Sequence, residues 1–269
     1  MIYTCVVWLF LILLFLSVGS FLNVVIHRLP LMLSAEWTAD HLAWLHLPHK
    51  SLKKISLSWP RSHCPECKKT LKIWQNIPLF SYIALRGHCY YCNSKISLRY
   101  PCVELICLLL SSFAVWFFGW HWSLCCILPF IWILICLFYI DLVHQILPDV
   151  LSLGLLWLGL LINTQNIFIP LSAAVFSAAG AYLSLWLVMQ TYLLIRGKIG
   201  MGHGDFKLFA AFGAWFGWSA LPLILLISSI SGIVIGFIYL KATRQSYQTP
   251  LPFGPFLCVA GIISLFYRF

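Results

Sequence analysis

Charged side chains are scarce in this chain of 269 residues, since only 9% are Asp, Glu, Lys or Arg, against about 25% in a typical soluble domain. Hydrophobic residues make up 62%, and the mean hydropathy is +0.94. A soluble fold of this length could not bury so much apolar surface, and the same excess excludes disordered and fibrous chains. The composition therefore predicts a polytopic membrane protein.

Acidic residues are the rarest charged type, numbering seven against 17 Lys and Arg. Eleven of the basic residues and three of the acids fall within 28–101, which is the one large polar block. The other four acids lie at or beside apolar segments: Glu104, Asp141, Asp149 and Asp205. Ionisable groups in such places are costly, so these four are candidates for function.

The first apolar run lacks the preceding basic residues and the small-x-small site of a cleaved signal peptide, so we expect it to be a retained helix. Apolar runs of about 17–25 residues cross the hydrocarbon core. Eight such runs predict an all-α bundle of about eight transmembrane helices, near 2–26, 102–119, 122–140, 150–164, 169–195, 207–219, 221–240 and 252–267. The segments 150–164 and 207–219 are short for complete crossings.

The positive-inside rule sets the expected orientation of these helices. If block 28–101 is cytoplasmic, eight crossings place 16 of the 17 basic residues inside and both termini on the other side of the membrane. The basic charge thus indicates topology, and it could also hold the block against anionic lipid. We expect no nucleic-acid partner, because most of the basic residues sit in one loop tied to the membrane.

Four of the eleven cysteines form two C-x-x-C knuckles with 21 residues between them. Two such knuckles supply four thiolates to one tetrahedral ion, and this predicts a structural zinc site with no open position for chemistry. The predicted ligands are Cys64, Cys67, Cys89 and Cys92. The alternative is two disulfides or free thiols, and a cytoplasmic location argues against disulfides. Adjacent His63 and His88 are expected to be solvated or to support the ligands, not to bind the ion.

Asp141 and Asp205 are 64 positions apart, at the end of one predicted crossing and the start of another. The segment between them fits one down-and-back hairpin, which would return both carboxylates to the cytoplasmic surface. Two carboxylates that share a proton can carry out aspartic proteolysis, because one activates water while the other polarises the scissile carbonyl. Ion transport by intramembrane acids remains open, as does a capping role for Asp205 or pairing of Asp141 with a lysine.

Structural roles are expected for the remaining polar residues near the membrane. Asp149 follows Pro148 and precedes an apolar helix, as an N-cap residue does. We expect Glu104 to pair with Arg99, and His144 and His203 to be interfacial, although either histidine could tune the protonation of the acids. Gly202 and Gly204 beside Asp205 permit the close approach of backbone or substrate.

These motifs, in this order, resemble those of the type IV prepilin peptidases, also called leader peptidase/N-methyltransferases. The resemblance extends over nearly the whole chain and rests on the two knuckles and on Gly19–Pro30, Asn76–Tyr82, Leu85–Gly87, Arg99–Pro101, Val103–Leu105, Ile140-Asp141, Leu147–Asp149 and Gly202-His-Gly-Asp205. Many members carry a further acid two residues after the first catalytic aspartate, where this chain has Val143.

The resemblance implies a multi-pass enzyme of the bacterial inner membrane. Its members cleave the leader of type IV prepilins and of type II secretion pseudopilins at the cytoplasmic face, and then methylate the new amino terminus, usually phenylalanine, with S-adenosylmethionine. It implies that Asp141 and Asp205 are catalytic and that the four knuckle cysteines bind zinc. It also implies three regions, namely a first transmembrane helix (1–27), a cytoplasmic tetracysteine domain (28–101) and a transmembrane aspartic peptidase domain (102–269).

The methyl donor has no recognisable site in the sequence, since no glycine-rich nucleotide motif follows a strand. We place methyl transfer on loop 28–101 and the nearby helix ends. Two alternatives stay open at this point: a peptidase without methyltransferase activity, and a transporter or membrane scaffold whose acids relay protons.

Overall fold

A computed structural model of the chain describes residues 2–45, 55–198, 200–244 and 251–268. Within these ranges the chain forms nine α-helices and one 3₁₀-helix, and its only β-structure is two isolated bridges, His63 with Thr70 and His88 with Lys95. The prediction of an all-α membrane protein is confirmed. The chain divides into two compact units, Met1–Trp116 and Phe117–Phe269.

The first unit contains one very long helix and a short-segment region built around the knuckles. Its elements are α1 (Ile2–Trp44), a 3₁₀-helix (Ile73–Asn76), α2 (Phe80–Ala84) and α3 (Arg99–Phe118). Helix α1 has 43 residues, so at 1.5 Å per residue it is about 65 Å long, twice what a bilayer core requires.

The helix that contains the first predicted crossing extends well beyond residue 26. The helix passes through Pro30 and continues to Trp44, because residues 31–44 include Leu, Met, Ala and Glu, which favour helix. Just before the proline, the buried Arg28 donates hydrogen bonds to the carbonyls of Ser56 and Leu57 at 3.0 and 3.1 Å. This contact ties the segment that precedes the first knuckle to α1.

The second unit is a bundle of six helices. They are α4 (Leu124–His144), α5 (Asp149–Asn163), α6 (Leu171–Arg196), α7 (His203–Phe216), α8 (Leu221–Thr243) and α9 (Gly254–Arg268). Helix α7 is the most buried of them, with every residue from Leu208 to Phe216 inside, and it packs against α5, α6, α8 and α9.

Every predicted crossing corresponds to a helix, and five helices are long and apolar enough to span a membrane: α1, α3, α4, α6 and α8. Helices α5, α7 and α9 have 14 or 15 residues, about 21–23 Å at 1.5 Å per residue, which is shorter than a hydrocarbon core of about 30 Å. The count of eight crossings therefore remains a prediction.

Side-chain hydrogen bonds between α5 and α7 satisfy polar groups around the buried end of α7. The Asn163 amide donates to the Ala214 carbonyl at 2.8 Å, and the Trp215 indole N–H donates to the Leu155 carbonyl at 2.8 Å. The last carbonyls of a helix have no partner within the helix, so a buried end needs such donors. These bonds allow a short helix to end inside the bundle.

Helices α6 and α7 lie close together at Gly213. A Cβ atom there would lie 2.6 Å from the Ser177 carbonyl oxygen, while the Ser177 hydroxyl donates to the Gly213 carbonyl at 2.8 Å. We expect Gly213→Ala to destabilise the protein by about 1–3 kcal/mol, because overpacking forces backbone apart. Thermal unfolding in detergent measures this, with Gly154→Ala as the control, since a Cβ at Gly154 meets no atom within 4 Å. Equal melting temperatures for the two variants would contradict the packing account.

Candidate active site and metal centre

Asp141 lies in the last turn of α4 and is buried, with 5% of its surface exposed. Its Oδ2 atom accepts a hydrogen bond of 3.0 Å from the backbone N–H of Gly254, the first residue of α9. A backbone amide at a helix start is a fixed donor, and it orients the carboxylate without itself titrating. Sequence patterns could not predict this partner, because it is 113 positions away and has no side chain.

Asp205 is the third residue of α7 and is also buried, with 8% exposed. Its carboxylate accepts a hydrogen bond from the amide of Gly202, and it is close enough to Asp141 for the two carboxyl groups to repel each other electrostatically. The fully buried Cys258 thiol, one turn after Gly254 in α9, lies within electrostatic reach of both acids. The structure therefore brings the two predicted aspartates together in one buried site.

The backbone around the two acids is packed too closely for side chains at two glycines. A Cβ atom at Gly254 would lie 2.6 Å from Asp141 Oδ2, and one at Gly204 would lie 2.8 Å from Leu147 Cβ. Gly204 thus meets the expected close approach. At Gly202 a Cβ atom would meet its nearest atom, an Asp205 oxygen, at an ordinary 3.6 Å, so the protein does not crowd this glycine, and close approach of substrate there stays a prediction.

The expected N-cap role of Asp149 is wrong by one residue. Pro148 occupies the N-cap of α5, and Asp149 is the first helical residue, where its negative charge suits the helix dipole. Both of its carboxylate oxygens lie 2.7 Å from Lys207 Nζ. This ion pair, the only one in the described part of the chain, joins the starts of α5 and α7 and leaves Asp149 outside the buried pair.

The other polar residues near the acids face outward. His144 and Val143 are exposed in the last turn of α4, and the exposed His203 ring packs edge-on against Phe206. Neither histidine hydrogen-bonds either aspartate in the described structure. An acid at position 143 would project away from buried Asp141, so the absence of a third carboxylate there does not alter the buried pair.

The expected pairing of Glu104 with Arg99 is wrong. The buried Glu104 carboxylate accepts a 2.8 Å hydrogen bond from the Leu79 amide and a second bond from the Ser20 hydroxyl. The Arg99 guanidinium instead lies over the Tyr100 ring, 5.3 Å from its centre. Backbone folding around the knuckles, which sequence spacing does not reveal, brings residue 79 to this carboxylate.

The four knuckle cysteines converge on one point, with all their sulfur atoms within 4.8 Å of one another. Four sulfurs at about 2.3 Å from a tetrahedral zinc ion lie about 3.8 Å apart. Cys64 Sγ and Cys92 Sγ are separated by 3.8 Å, which fits that tetrahedron, and all four thiols are free. The set therefore fits a structural zinc ion, and the alternative of two disulfides is not supported.

The two knuckles are copies of one local structure, 25 positions apart, and both read Arg-x-His-Cys-x-x-Cys. In each, the first cysteine amide donates to the carbonyl five residues later, and the residue after the second cysteine, Lys68 or Asn93, has a positive φ. His63 and His88 each turn Nδ1 towards the carbonyl of the arginine two residues earlier, so neither belongs to the sulfur cluster. The two knuckles therefore form a short internal repeat.

Ser94 supports the thiolate form of Cys92. Its hydroxyl lies 3.1 Å from Cys92 Sγ, and hydrogen bonding from Ser94 lowers the pKa of that thiol to about 6. A thiol with this pKa is mostly ionised at pH 7, and metals bind the thiolate.

We expect Cys64→Ser/Cys67→Ser to lose one zinc ion per chain, because removing two of four sulfur ligands leaves a site too weak to retain the ion. Elemental analysis of the purified protein measures the metal, and hydrogen exchange over residues 61–96 should show lost protection. Cys125→Ser is the control, as this exposed cysteine lies outside the cluster. Metal content unchanged in the double variant would refute the site.

Two family models match the chain. "Bacterial Peptidase A24 N-terminal domain" covers residues 13–118, and "Type IV leader peptidase family" covers 128–237. Proteins named prepilin leader peptidase/N-methyltransferase are similar over almost the full length. The one from Legionella pneumophila is 55% identical over 94% of this chain and 88% of its own, and that from Pseudomonas aeruginosa is 48% identical over 94% and 88%. The Stutzerimonas stutzeri protein is 47% identical over 93% and 87%. No solved structure matches the chain.

Proposed function

This chain belongs to the type IV leader peptidase family, and from that premise we propose that Asp141 and Asp205 are the carboxylates with which it cleaves the leader peptide of type IV prepilins. The observation that carries the assignment is the burial of both carboxyl groups in one electrostatically coupled site. A surface ion pair or a helix cap would not require two like charges together. Membership of this family argues against a role as a transporter or membrane scaffold.

The pair acts by sharing one proton. The ionised carboxylate removes a proton from water as the water oxygen bonds to the scissile carbonyl carbon, and the protonated partner hydrogen-bonds the carbonyl oxygen. The tetrahedral intermediate then collapses, the C–N bond breaks, and the leaving nitrogen takes a proton from the pair. The Gly254 and Gly202 amides orient the two carboxylates for these transfers.

The second reaction is methylation of the amine that cleavage releases. S-adenosylmethionine supplies the methyl group, whose bond to the sulfonium sulfur breaks as a bond to the amine nitrogen forms. The amine loses a proton, and the thioether S-adenosylhomocysteine leaves. The chain must therefore bind the donor and present the neutral amine to it.

The substrates include pseudopilins of type II secretion as well as type IV prepilins, and the protein is a multi-pass component of the bacterial inner membrane. Residues 1–27 form the first transmembrane helix, 28–101 a cytoplasmic zinc-binding domain and 102–269 the transmembrane peptidase domain, with both termini periplasmic. Sixteen of 17 basic residues on the cytoplasmic side support this orientation, and their charge favours contact with anionic lipid.

One experiment tests both activities. Purified protein is incubated with a prepilin and methyl-labelled S-adenosylmethionine, and the products are weighed by mass spectrometry. We expect a free leader and a mature pilin heavier by one CH₂ group at its amino terminus. A mature pilin without that increment would leave a peptidase alone, and an intact prepilin would reject the proposal.

A further inference from the structure

A cavity of about 670 Å³ lies within the first unit, a size typical of sites for small organic ligands, which occupy roughly 300–1,000 Å³. Residues of α1, the 3₁₀-helix, α2, both knuckles and the first turns of α3 line it. Its lining residues all belong to the first unit, whereas the buried aspartates belong to the second. Neither the peptidase pair nor the metal ligation explains its polar lining.

Unpartnered polar atoms concentrate in this cavity. Five buried side-chain nitrogen or oxygen atoms in the described structure have no hydrogen-bond partner: Asn23 Oδ1, Gln75 Nε2, Arg99 Nε, Ser152 Oγ and Ser264 Oγ. The first three all belong to residues that line the cavity. Buried polar groups in native proteins are nearly always paired, so three orphans at one cavity indicate a ligand that completes their hydrogen bonds.

Asn23 and Gln75 are each held in place by a hydrogen bond that the other polar atom of the same side-chain amide forms. The Asn23 amide nitrogen donates to the Tyr100 carbonyl at 3.0 Å, which leaves Oδ1 as an acceptor. Gln75 Oε1 accepts from the Lys72 amide at 2.8 Å, which leaves Nε2 as a donor. Both side chains are more than nine-tenths buried. A site with fixed donors and acceptors is prepared for a ligand that has both.

The charged and aromatic side chains that line the cavity indicate which kind of ligand it can bind. Arg99 offers a guanidinium with a free Nε donor, and Glu104 is the one acid among the described lining residues. Tyr82, Tyr90 and Tyr100 also line the cavity. A cation and an anion together suit the carboxylate and ammonium of an amino acid, and tyrosine rings suit a purine ring or a sulfonium cation.

We propose that this cavity binds S-adenosylmethionine, a proposal that rests on the methyltransferase half of the proposed function. Arg99 pairs with the donor's carboxylate, and Glu104 accepts hydrogen bonds from its ammonium or ribose hydroxyls. Asn23 Oδ1 and Gln75 Nε2 supply the acceptor and donor that an adenine edge requires. A basic leader peptide fits poorly here, because four Lys or Arg side chains and a single acid line the cavity.

The first test uses the unmodified protein. Ultraviolet irradiation with methyl-labelled S-adenosylmethionine, followed by peptide mapping, should place the label on tyrosine peptides within 73–104. Unlabelled S-adenosylhomocysteine should prevent labelling. Label confined to residues 117–269, or labelling of 73–104 that phosphatidylglycerol vesicles block and S-adenosylhomocysteine does not, would overturn the proposal.

The second test measures S-adenosylhomocysteine affinity by equilibrium dialysis. Gln75→Glu keeps the acceptor for the Lys72 amide but replaces the free donor, and Arg99→Lys removes Nε while keeping the charge. Each should weaken binding about tenfold or more, with prepilin cleavage within twofold of the parent. Ser264→Ala is the control, as it removes an orphan hydroxyl outside the cavity.

The outcomes separate the two claims. Affinities within twofold of the parent in both variants would overturn the cavity assignment while leaving methylation by the parent protein intact. Cleavage without any methylation by the parent protein would instead reject the methyltransferase function itself, and the cavity assignment with it. A parallel loss of affinity in Ser264→Ala would also overturn the assignment, since the effect would not be specific to the cavity.

Discussion

Replacing either Asp141 or Asp205 with asparagine should lower prepilin cleavage by about 10²–10⁴-fold, the usual contribution of a positioned acid or base. Asparagine keeps the size of the side chain and can still accept the amide hydrogen bonds from Gly254 or Gly202. It cannot carry the shared proton. The loss should therefore appear in kcat, while the melting temperature of the protein changes little.

The matched control is Asp149→Asn, which removes an acid from the same region. Asp149 is exposed and paired with Lys207, and such surface pairs contribute about 0–1 kcal/mol, so cleavage should stay within a few-fold of normal. Methylation of an already cleaved pilin should persist in the Asp141 and Asp205 variants, because it does not need the carboxylate pair. Normal cleavage by either variant would show that the pair is not the peptidase centre.

Gly254→Ala should reduce cleavage by about 10²-fold, although it adds a single methyl group far along the chain from either acid. The new Cβ would lie 2.6 Å from Asp141 Oδ2 and 3.0 Å from Leu147 Cδ2, so the carboxylate must leave its hydrogen bond with the residue 254 amide. A misplaced carboxylate cannot reach the water or the carbonyl. Single-turnover cleavage of a prepilin measures the effect.

Gly232→Ala provides the control for this substitution. Gly232 lies in α8, and a Cβ there meets the Phe256 ring at an ordinary 3.4 Å. The Gly232→Ala variant should cleave prepilin at nearly the parent rate, and both glycine variants should retain zinc. Equal cleavage by Gly254→Ala and the parent would mean that the amide of residue 254 does not position Asp141.

The sequence predicted the meeting of the two aspartates because apolar runs fix the number of helices between them. An even number of crossings returns the chain to one side, and the two aspartates meet even though α5, one of the two helices between them, is too short to be recognised as a span. The Gly254 amide could not be found in the same way. Backbone groups carry no residue-specific signal, and α9 reaches Asp141 only through packing of the bundle.

Errors arose where a local rule competed with tertiary contacts. The first crossing was predicted from its apolar run to end near residue 26, but residues that favour helix follow Pro30 and the helix continues to Trp44, while Arg28 binds the segment before the first knuckle. Proximity in the sequence predicts an ion pair between Glu104 and Arg99, whereas in the folded chain the Glu104 carboxylate accepts a hydrogen bond from the Leu79 amide. Asp149 lies one residue past its expected cap because Pro148 takes that position.

The cysteine cluster could be predicted from the sequence because each C-x-x-C motif places two metal ligands within four consecutive residues. The cavity proposed to bind S-adenosylmethionine could not be predicted in this way, because Asn23, Gln75 and Arg99 are separated by up to 76 positions. Their shared property is an unpartnered atom, and this depends on the surroundings in the folded chain. Sequence patterns report residue types, whereas unsatisfied hydrogen bonds are a property of the packed structure.

The most direct test of the central claim compares the Asp141→Asn/Asp205→Asn double variant with the two single variants in single-turnover cleavage. Groups that act as one unit give strongly non-additive effects. If the two carboxylates share one proton, the double variant should cleave at the same residual rate as either single variant, within about twofold. Losses that multiply in the double variant would show that the two acids act independently and would contradict the account.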